Sequence, residues 1–236
     1  MPQYTYDYED LSFTLDIPEY WHTIYKGKPR EKLYKDYSMM LDKLKTVSKE
    51  KIVLDIGVNH GLFAVPASMI GYTVVGFEPV LQNFEGIEIA RELNNLSSFH
   101  IYKAALSNEN GRKDIYVPEC PDNASLNKDA AIANMKGKEY RVENVASIRF
   151  DDWIYERPEY YNIGFIKIDV QGAEYNVIQG MGKFLTEKHD IYLLAEYEAH
   201  LNKMGYSYEQ LDNLIMSFGF VEQPKITGGD KLWYKS

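Results

Sequence analysis

The feature that most restricts the fold is an apolar run that enters a glycine turn, KIVLDIGVNHG at residues 51–61. Ile52, Val53 and Leu54 show no polar alternation, as expected of a strand covered on both faces, while Gly57 and Gly61 allow a tight turn in which the backbone closely approaches a ligand. Two more short apolar runs, 73–77 and 99–103, follow stretches of helical length near 62–70 and 85–95. This alternation predicts βαβ units: an α/β fold with a doubly wound, mostly parallel sheet and ligands at the carboxyl ends of its strands. Pro66 falls inside the first of these helices, so that helix is expected to start late or bend.

The remaining chain fits the same frame. Leu33, Tyr37, Met40, Leu41, Leu44 and Val47 recur at helical spacing after Pro29, predicting an amphipathic helix that packs on the sheet. Residues 140–150, 164–169 and 190–196 read as strands and 173–181 as a helix. Ser207 with Gln210 forms a capping box that opens a further helix, and 221–234 reads as a terminal antiparallel hairpin. The turn at 108–111 suggests an antiparallel hairpin over 104–118, and 119–139 is polar and aperiodic, a loop or lid. Residues 1–29 are expected to form an aromatic arm or a pair of short strands, with one domain over 30–236. Tyr4, Tyr6, Tyr8, Tyr20 and Trp21 in that arm suit packing or a dimer contact better than stacking on a sugar.

Composition excludes several classes of function. The net charge of −9 argues against a protein that neutralises many nucleic-acid phosphates. A single cysteine, Cys120, permits no internal disulfide and no thiolate-rich zinc site, which fits a reducing cytoplasmic setting. The acidic, aromatic amino terminus lacks the pattern of a signal peptide, and no apolar run approaches the roughly 18–20 residues of a membrane span.

Chemistry concentrates at two places. Asp55 adjoins the glycine turn, and Glu78 ends the second strand about twenty residues later, where an acid can accept both ribose hydroxyls of an adenosine. Asn59 replaces the middle glycine of a dinucleotide fingerprint and the third glycine is missing, so NAD is disfavoured. A nucleoside without a pyrophosphate, such as S-adenosylmethionine, fits better, with Asp55 near its ammonium or sulfonium end. At the second place, 165–174 (FIKIDVQGAE), Lys167 and Asp169 share one face of a strand and Asp169 lies at its ligand-binding end.

DIGVNHGLF at 55–63, FEP at 77–79, AALSNENG at 104–111 and IKIDVQGAE at 166–174 together resemble the FkbM family of S-adenosylmethionine-dependent methyltransferases, in order and spacing across roughly residues 30–200. Residues 123–126 (NASL) resemble that family's Ser-Leu segment. Gln171 departs from the glutamate usual in the last block. The resemblance implies a seven-stranded class I fold and S-adenosylmethionine as methyl donor, with S-adenosylhomocysteine as product. Carried over position by position, it assigns cofactor binding to Asp55, Gly57, Asn59, His60, Gly61, Phe63, Glu78, Pro79, Ala104, Ala105 and Asp169. It also implies transfer to a hydroxyl of a sugar, glycan or related metabolite.

Methyl transfer to a hydroxyl benefits from a positioned base. Asp169 is the first candidate, although a cofactor ligand or loop brace describes it equally well. Lys167 could orient Asp169, but an ion pair with Asp151 or Asp152 is the better reading. Glu174 suits a helix cap and is retained as a site residue on resemblance. Glu196 ends the next strand, with His200 four residues on, and both read more simply as surface hydrogen-bonders. Two carboxylates without ligand spacing give no reason to expect a metal. The expected partner is a sugar or glycan acceptor, with a second copy of the chain or a larger glycan-assembly polypeptide as further options. An RNA ribose 2′-O-methyltransferase and a non-catalytic cofactor-binding scaffold are the competing functions. DVQG at 169–172, in place of an Asn/Asp-Pro-Pro-aromatic motif, lowers the rank of nitrogen acceptors.

Overall fold

A computed structural model describes residues 3–17, 28–133 and 139–236. The chain forms strands β1 (Gln3–Tyr8), β2 (Leu11–Asp16), β3 (Ile52–Ile56), β4 (Thr73–Phe77), β5 (Phe99–Tyr102), β6 (Ala105–Ser107), β7 (Gly111–Pro118), β8 (Tyr140–Arg149), β9 (Ile163–Ile168), β10 (Ile191–Glu196), β11 (Val221–Glu222) and β12 (Asp230–Lys235). Seven of them build the central sheet in the order β11-β12-β10-β9-β3-β4-β5. Strands β10, β9, β3, β4 and β5 pair in parallel, and β12 runs antiparallel to both β10 and β11, as the terminal hairpin pattern predicts.

Successive strand residues feed two cores, because side chains alternate across a pleated sheet. Leu54, Ile56, Ile166 and Ile168 pack with Trp153, Ile178, Phe184 and Ile215, which belong to the helices Phe150–Tyr155, Glu174–Gly180, Gly182–Glu187 and Tyr208–Ser217. Val53, Val74, Phe165 and Leu194 pack on the other face with Leu41 of the helix Lys28–Leu44, Val65 of Ala64–Met69 and Ile87 of Leu81–Leu93. Asp55 and Lys167 are register partners on β3 and β9, and alternation turns both toward this second face. Pro66 sits in the first turn of Ala64–Met69, so the helix starts late and its missing N–H is not needed. Ser207 and Gln210 make the reciprocal bonds of the predicted capping box.

One expectation is corrected. Residues 104–118 do not form a hairpin, because β8 lies between β6 and β7, parallel to the first and antiparallel to the second. The turn at 108–111 is held by β8 instead: Ser147 Oγ donates to Glu109 O and Arg149 N to Asn110 Oδ1. β1 and β2 form the expected pair of short strands, a hairpin whose Tyr6, Tyr8, Phe13 and Leu15 are buried in the second core, and Tyr8 OH donates to Asp42 Oδ1 at 2.9 Å. These tyrosines pack the domain, while Tyr20, Trp21 and part of the expected lid, 134–138, lie outside the described residues. Among the described residues, no helix is long and apolar enough to cross a membrane.

Candidate active site

Ladder bonds beyond the strand ends bring the motifs together at one edge of the sheet. Gly57 N and Val58 N both donate to Phe77 O, Asp169 N donates to Ile56 O, and Glu78 N donates to Tyr102 O. The turns after β3, β4 and β9 therefore meet at the carboxyl ends of the strands, where ligands of open α/β sheets bind. Gly57 adopts φ +82°, and a Cβ there would overlap the Asp169 carbonyl, so only glycine allows the two turns to touch. Asn59 and Gln171 are also left-handed, each at φ 53°.

A cavity of ≈ 270 Å³ opens at this edge. Gly57 lies at its middle, beside Asp169; toward β4 and β5, one end is walled by Asn59, Glu78, Pro79 and Asn83, with Ala104 and Ala105 beyond. The other end is walled by Tyr37, Asp169, Gln171, Glu196 and Glu198. Residues 120–126 cover the flank, so the polar segment does serve as a wall. It is fastened by Ser125 Oγ donating to Gln171 O at 2.8 Å and by His60 Nε2 lying 2.6 Å from Asp122 Oδ1.

Glu78 is buried, accepting from Asn59 N at 2.9 Å and from Val80 N at 3.0 Å. Burial outweighs these bonds and pushes its pKa up to about 7. Asn83 Nδ2 donates to Asn59 Oδ1, while its own Oδ1 is buried and lacks a partner among the described residues. Beneath the other end, Lys167 Nζ lies 3.3 Å from Asp55 Oδ1 and 3.5 Å from Asp169 Oδ2. Burial alone would lower Lys167, but the two carboxylates outweigh it and hold the ammonium charged. Burial raises Asp55 to about 6 against the pull of Lys167. Glu174 Oε1 accepts from Val170 N and Gly172 N, pinning the 169–172 turn, and burial raises it to about 7.

The expected residues thus divide. Gly57, Asn59, Glu78, Pro79, Ala104, Ala105, Asp169 and Glu196 reach the cavity. Asp55, Lys167 and Glu174 stand behind it and support those that do. His60 is buried against the covering segment, Gly61 makes the turn, and Phe63 is packed against Phe165 in the second core. Lys167 pairs with Asp55 and Asp169 rather than with Asp151 or Asp152: Asp151 pairs with Arg149 and accepts from Lys183 N and Phe184 N, capping the helix Gly182–Glu187. Glu196 and Asp169 are joined through Gln171, so neither is a simple surface group. Sequence reasoning missed Tyr37, which its spacing assigned to an apolar helix face, and Asn83, whose only signal was an amide shortly after Glu78-Pro79.

The methyltransferase FkbM domain model matches residues 55–222. The chain belongs to the FkbM methyltransferase family. Within curated proteins, this FkbM chain is 26% identical over 236 residues to the 2-O-methyltransferase NoeI of Sinorhizobium fredii, covering 94% of the chain and 93% of that protein. It is also 25% identical over 150 residues to Methyltransferase 1 of Beauveria bassiana, a match that takes in 56% of the chain and 59% of that protein's length. Among solved structures, the 16S rRNA N2 G1207 methyltransferase RsmC of T. Thermophilus shares the fold at TM-score 0.50 and 12% identity, over 100% of this chain and 50% of that one. The sheet order and this likeness make the fold that of the class I methyltransferases.

Proposed function

We propose that this FkbM protein is an S-adenosylmethionine-dependent O-methyltransferase that acts on a hydroxyl of a sugar, glycan or related metabolite. One observation carries the reading: a single cavity with a ribose-accepting carboxylate, Glu78, at one end and two carboxylates able to take a hydroxyl proton, Asp169 and Glu196, at the other. The name of the NoeI relative supports oxygen as the acceptor atom. The residues suit the cofactor, since the ribose hydroxyls need acceptors and both Glu78 and Asn83, whose Oδ1 has no partner among the described residues, line that end.

When bound, the cofactor supplies an activated methyl group with a sulfur leaving group. The chain's own residues do the rest. Glu78 and Asn83 hold the ribose, Asp169 accepts the proton of the acceptor hydroxyl, and Lys167 fixes the carboxylate from below. Glu174 keeps the turn beneath them in place, and residues 120–126 keep water away from the flank. Asp169, Glu196 and Glu198 make the acceptor end acidic, which suits a neutral polyhydroxyl compound and opposes a phosphate-rich acceptor such as RNA.

The test is calorimetric titration with S-adenosylmethionine, followed by a radiolabelled methyl-transfer screen over sugars, nucleotide sugars and capped RNA. Binding with label on a sugar oxygen is expected. No binding would sink the proposal, label on RNA would replace it with the ribose 2′-O reading, and binding without transfer to any hydroxyl would favour a scaffold.

A further inference from the structure

Gln171 stands between the two carboxylates at the acceptor end. Its Nε2 donates to Asp169 Oδ1 at 3.1 Å and to Glu196 Oε2 at 3.0 Å, one proton of the amide for each oxygen. The root of this side chain is fixed. Its backbone is left-handed, its carbonyl accepts from Ser125 Oγ, and the next amide, of Gly172, is held by Glu174. A non-glycine residue in that conformation is strained and persists only where its surroundings impose it, and such residues cluster at functional sites.

The charges around the pair are unequal. Lys167 lies against the other oxygen of Asp169, whereas Glu196 has no ion-pair partner among the described residues. Burial first, and then the negative charges of Asp169, Glu174 and Glu198, push Glu196 well above the usual carboxylate range. Tyr37 and Asp230 complete the group around Asp169 and Lys167. Tyr37 is held neutral by burial, and Asp230 is raised by burial to about 6.

We propose that Gln171 is a positioning residue that binds Asp169 and Glu196 into one proton-sharing pair, with Asp169 as the anionic member that faces the acceptor hydroxyl. The proposal rests on the O-methyltransferase reading above. In the transfer, the acceptor oxygen forms a bond to the methyl carbon as the carbon–sulfur bond breaks, and the hydroxyl proton passes to Asp169. The pair then holds two protons and returns one to solvent past Glu198 at the exposed rim. The amide donates to both carboxylates and Lys167 approaches the other oxygen of Asp169, so the negative charge of the pair is best placed on Asp169.

The test is a carboxyl-carbon NMR titration of the full ligand-free chain with labelled aspartate and glutamate, comparing wild type with Gln171→Leu and Gln171→Glu. Two coupled midpoints are expected in the wild type. Loss of the amide in Gln171→Leu is expected to raise the lower midpoint by about one to two pH units, the value of a hydrogen bond to a charged group. If that variant does not fold, Gln171→Glu keeps the length of the side chain and is expected to add a third coupled step and raise the upper midpoint. Midpoints unchanged in Gln171→Leu, or a residue 171 carboxyl in Gln171→Glu that titrates independently at an ordinary glutamate value, would overturn the proposal. Titrating S-adenosylhomocysteine into the wild type separates the two levels: failure to bind overturns the methyltransferase reading, while binding with uncoupled midpoints overturns only the role of Gln171.

Discussion

If Glu78 holds the ribose as proposed, cofactor affinity depends on pH in a way that can be calculated. Its folded-state pKa of about 7 lies above the ordinary 4.5 because burial disfavours the anion. Ribose hydroxyls are donors, so the bound state favours the ionised carboxylate, and affinity must fall wherever the free protein holds Glu78 protonated. With full ionisation in the complex, the dissociation constant scales as one plus ten raised to the difference between about 7 and the pH. S-adenosylhomocysteine binding is therefore expected to be about tenfold weaker at pH 6 than at pH 8. Glu78→Gln should flatten this dependence and weaken binding at pH 8 by about tenfold, through loss of a charged acceptor. The assay is calorimetric titration at half-unit pH steps. A wild-type affinity that is flat from pH 6 to 8, or a slope that persists in Glu78→Gln, would refute the assignment. The same shift works against stability in the ligand-free protein. The folded state binds this proton more tightly than the unfolded chain, so its contribution is favourable in acid and declines by about 3 kcal/mol as pH rises from about 4.5 through about 7.

Three other outcomes follow from the geometry. Asp169→Asn should lower turnover by about a hundredfold or more while S-adenosylhomocysteine affinity stays within a few-fold, and equal loss of both would make Asp169 a cofactor ligand instead. Asn83→Leu should weaken S-adenosylhomocysteine binding by about tenfold and cost about 1 kcal/mol of stability, since the Nδ2 bond to Asn59 is lost together with the Oδ1 acceptor; unchanged affinity would remove it from the site. Gly57→Ala should destabilise the fold by about 3 kcal/mol or more, because the positive φ and the overlap with the Asp169 carbonyl act together, and a thermal or urea midpoint close to wild type would show that the two turns are not in contact.

The parts of the fold that depend on local pattern were legible in the sequence. The apolar run at 52–54, the period-four spacing before Val47 and the capping box at Ser207 each have one cheap way to bury their apolar residues or satisfy their backbone. The parts that depend on partners far along the chain were not. Residues 104–118 carry every local sign of a hairpin, and only the insertion of β8, some thirty residues later, separates its two strands. Lys167 likewise takes its partner from strand register, which places Asp55 of β3 directly beside it, whereas Asp151 is nearer in sequence but committed to a helix cap. The Glu78 side of the cavity was easier to read than the Glu196 side for the same reason. Gly57, Asn59 and Glu78 stand in two short motifs, while the other side combines Tyr37, Asp169, Gln171 and Glu196 from three elements, and Tyr37 looks like any other core-facing helix residue.

The proposed function requires that the cavity between Glu78 and Asp169 bind the methyl donor in one orientation. A crystal structure of the chain with S-adenosylhomocysteine tests it most directly. The adenosine is expected at the Asn59, Glu78 and Asn83 end, with both ribose hydroxyls on the Glu78 carboxylate and the sulfur directed toward Asp169. A ligand bound outside this cavity, or turned so that its ribose lies against Asp169 and Glu196, would contradict it.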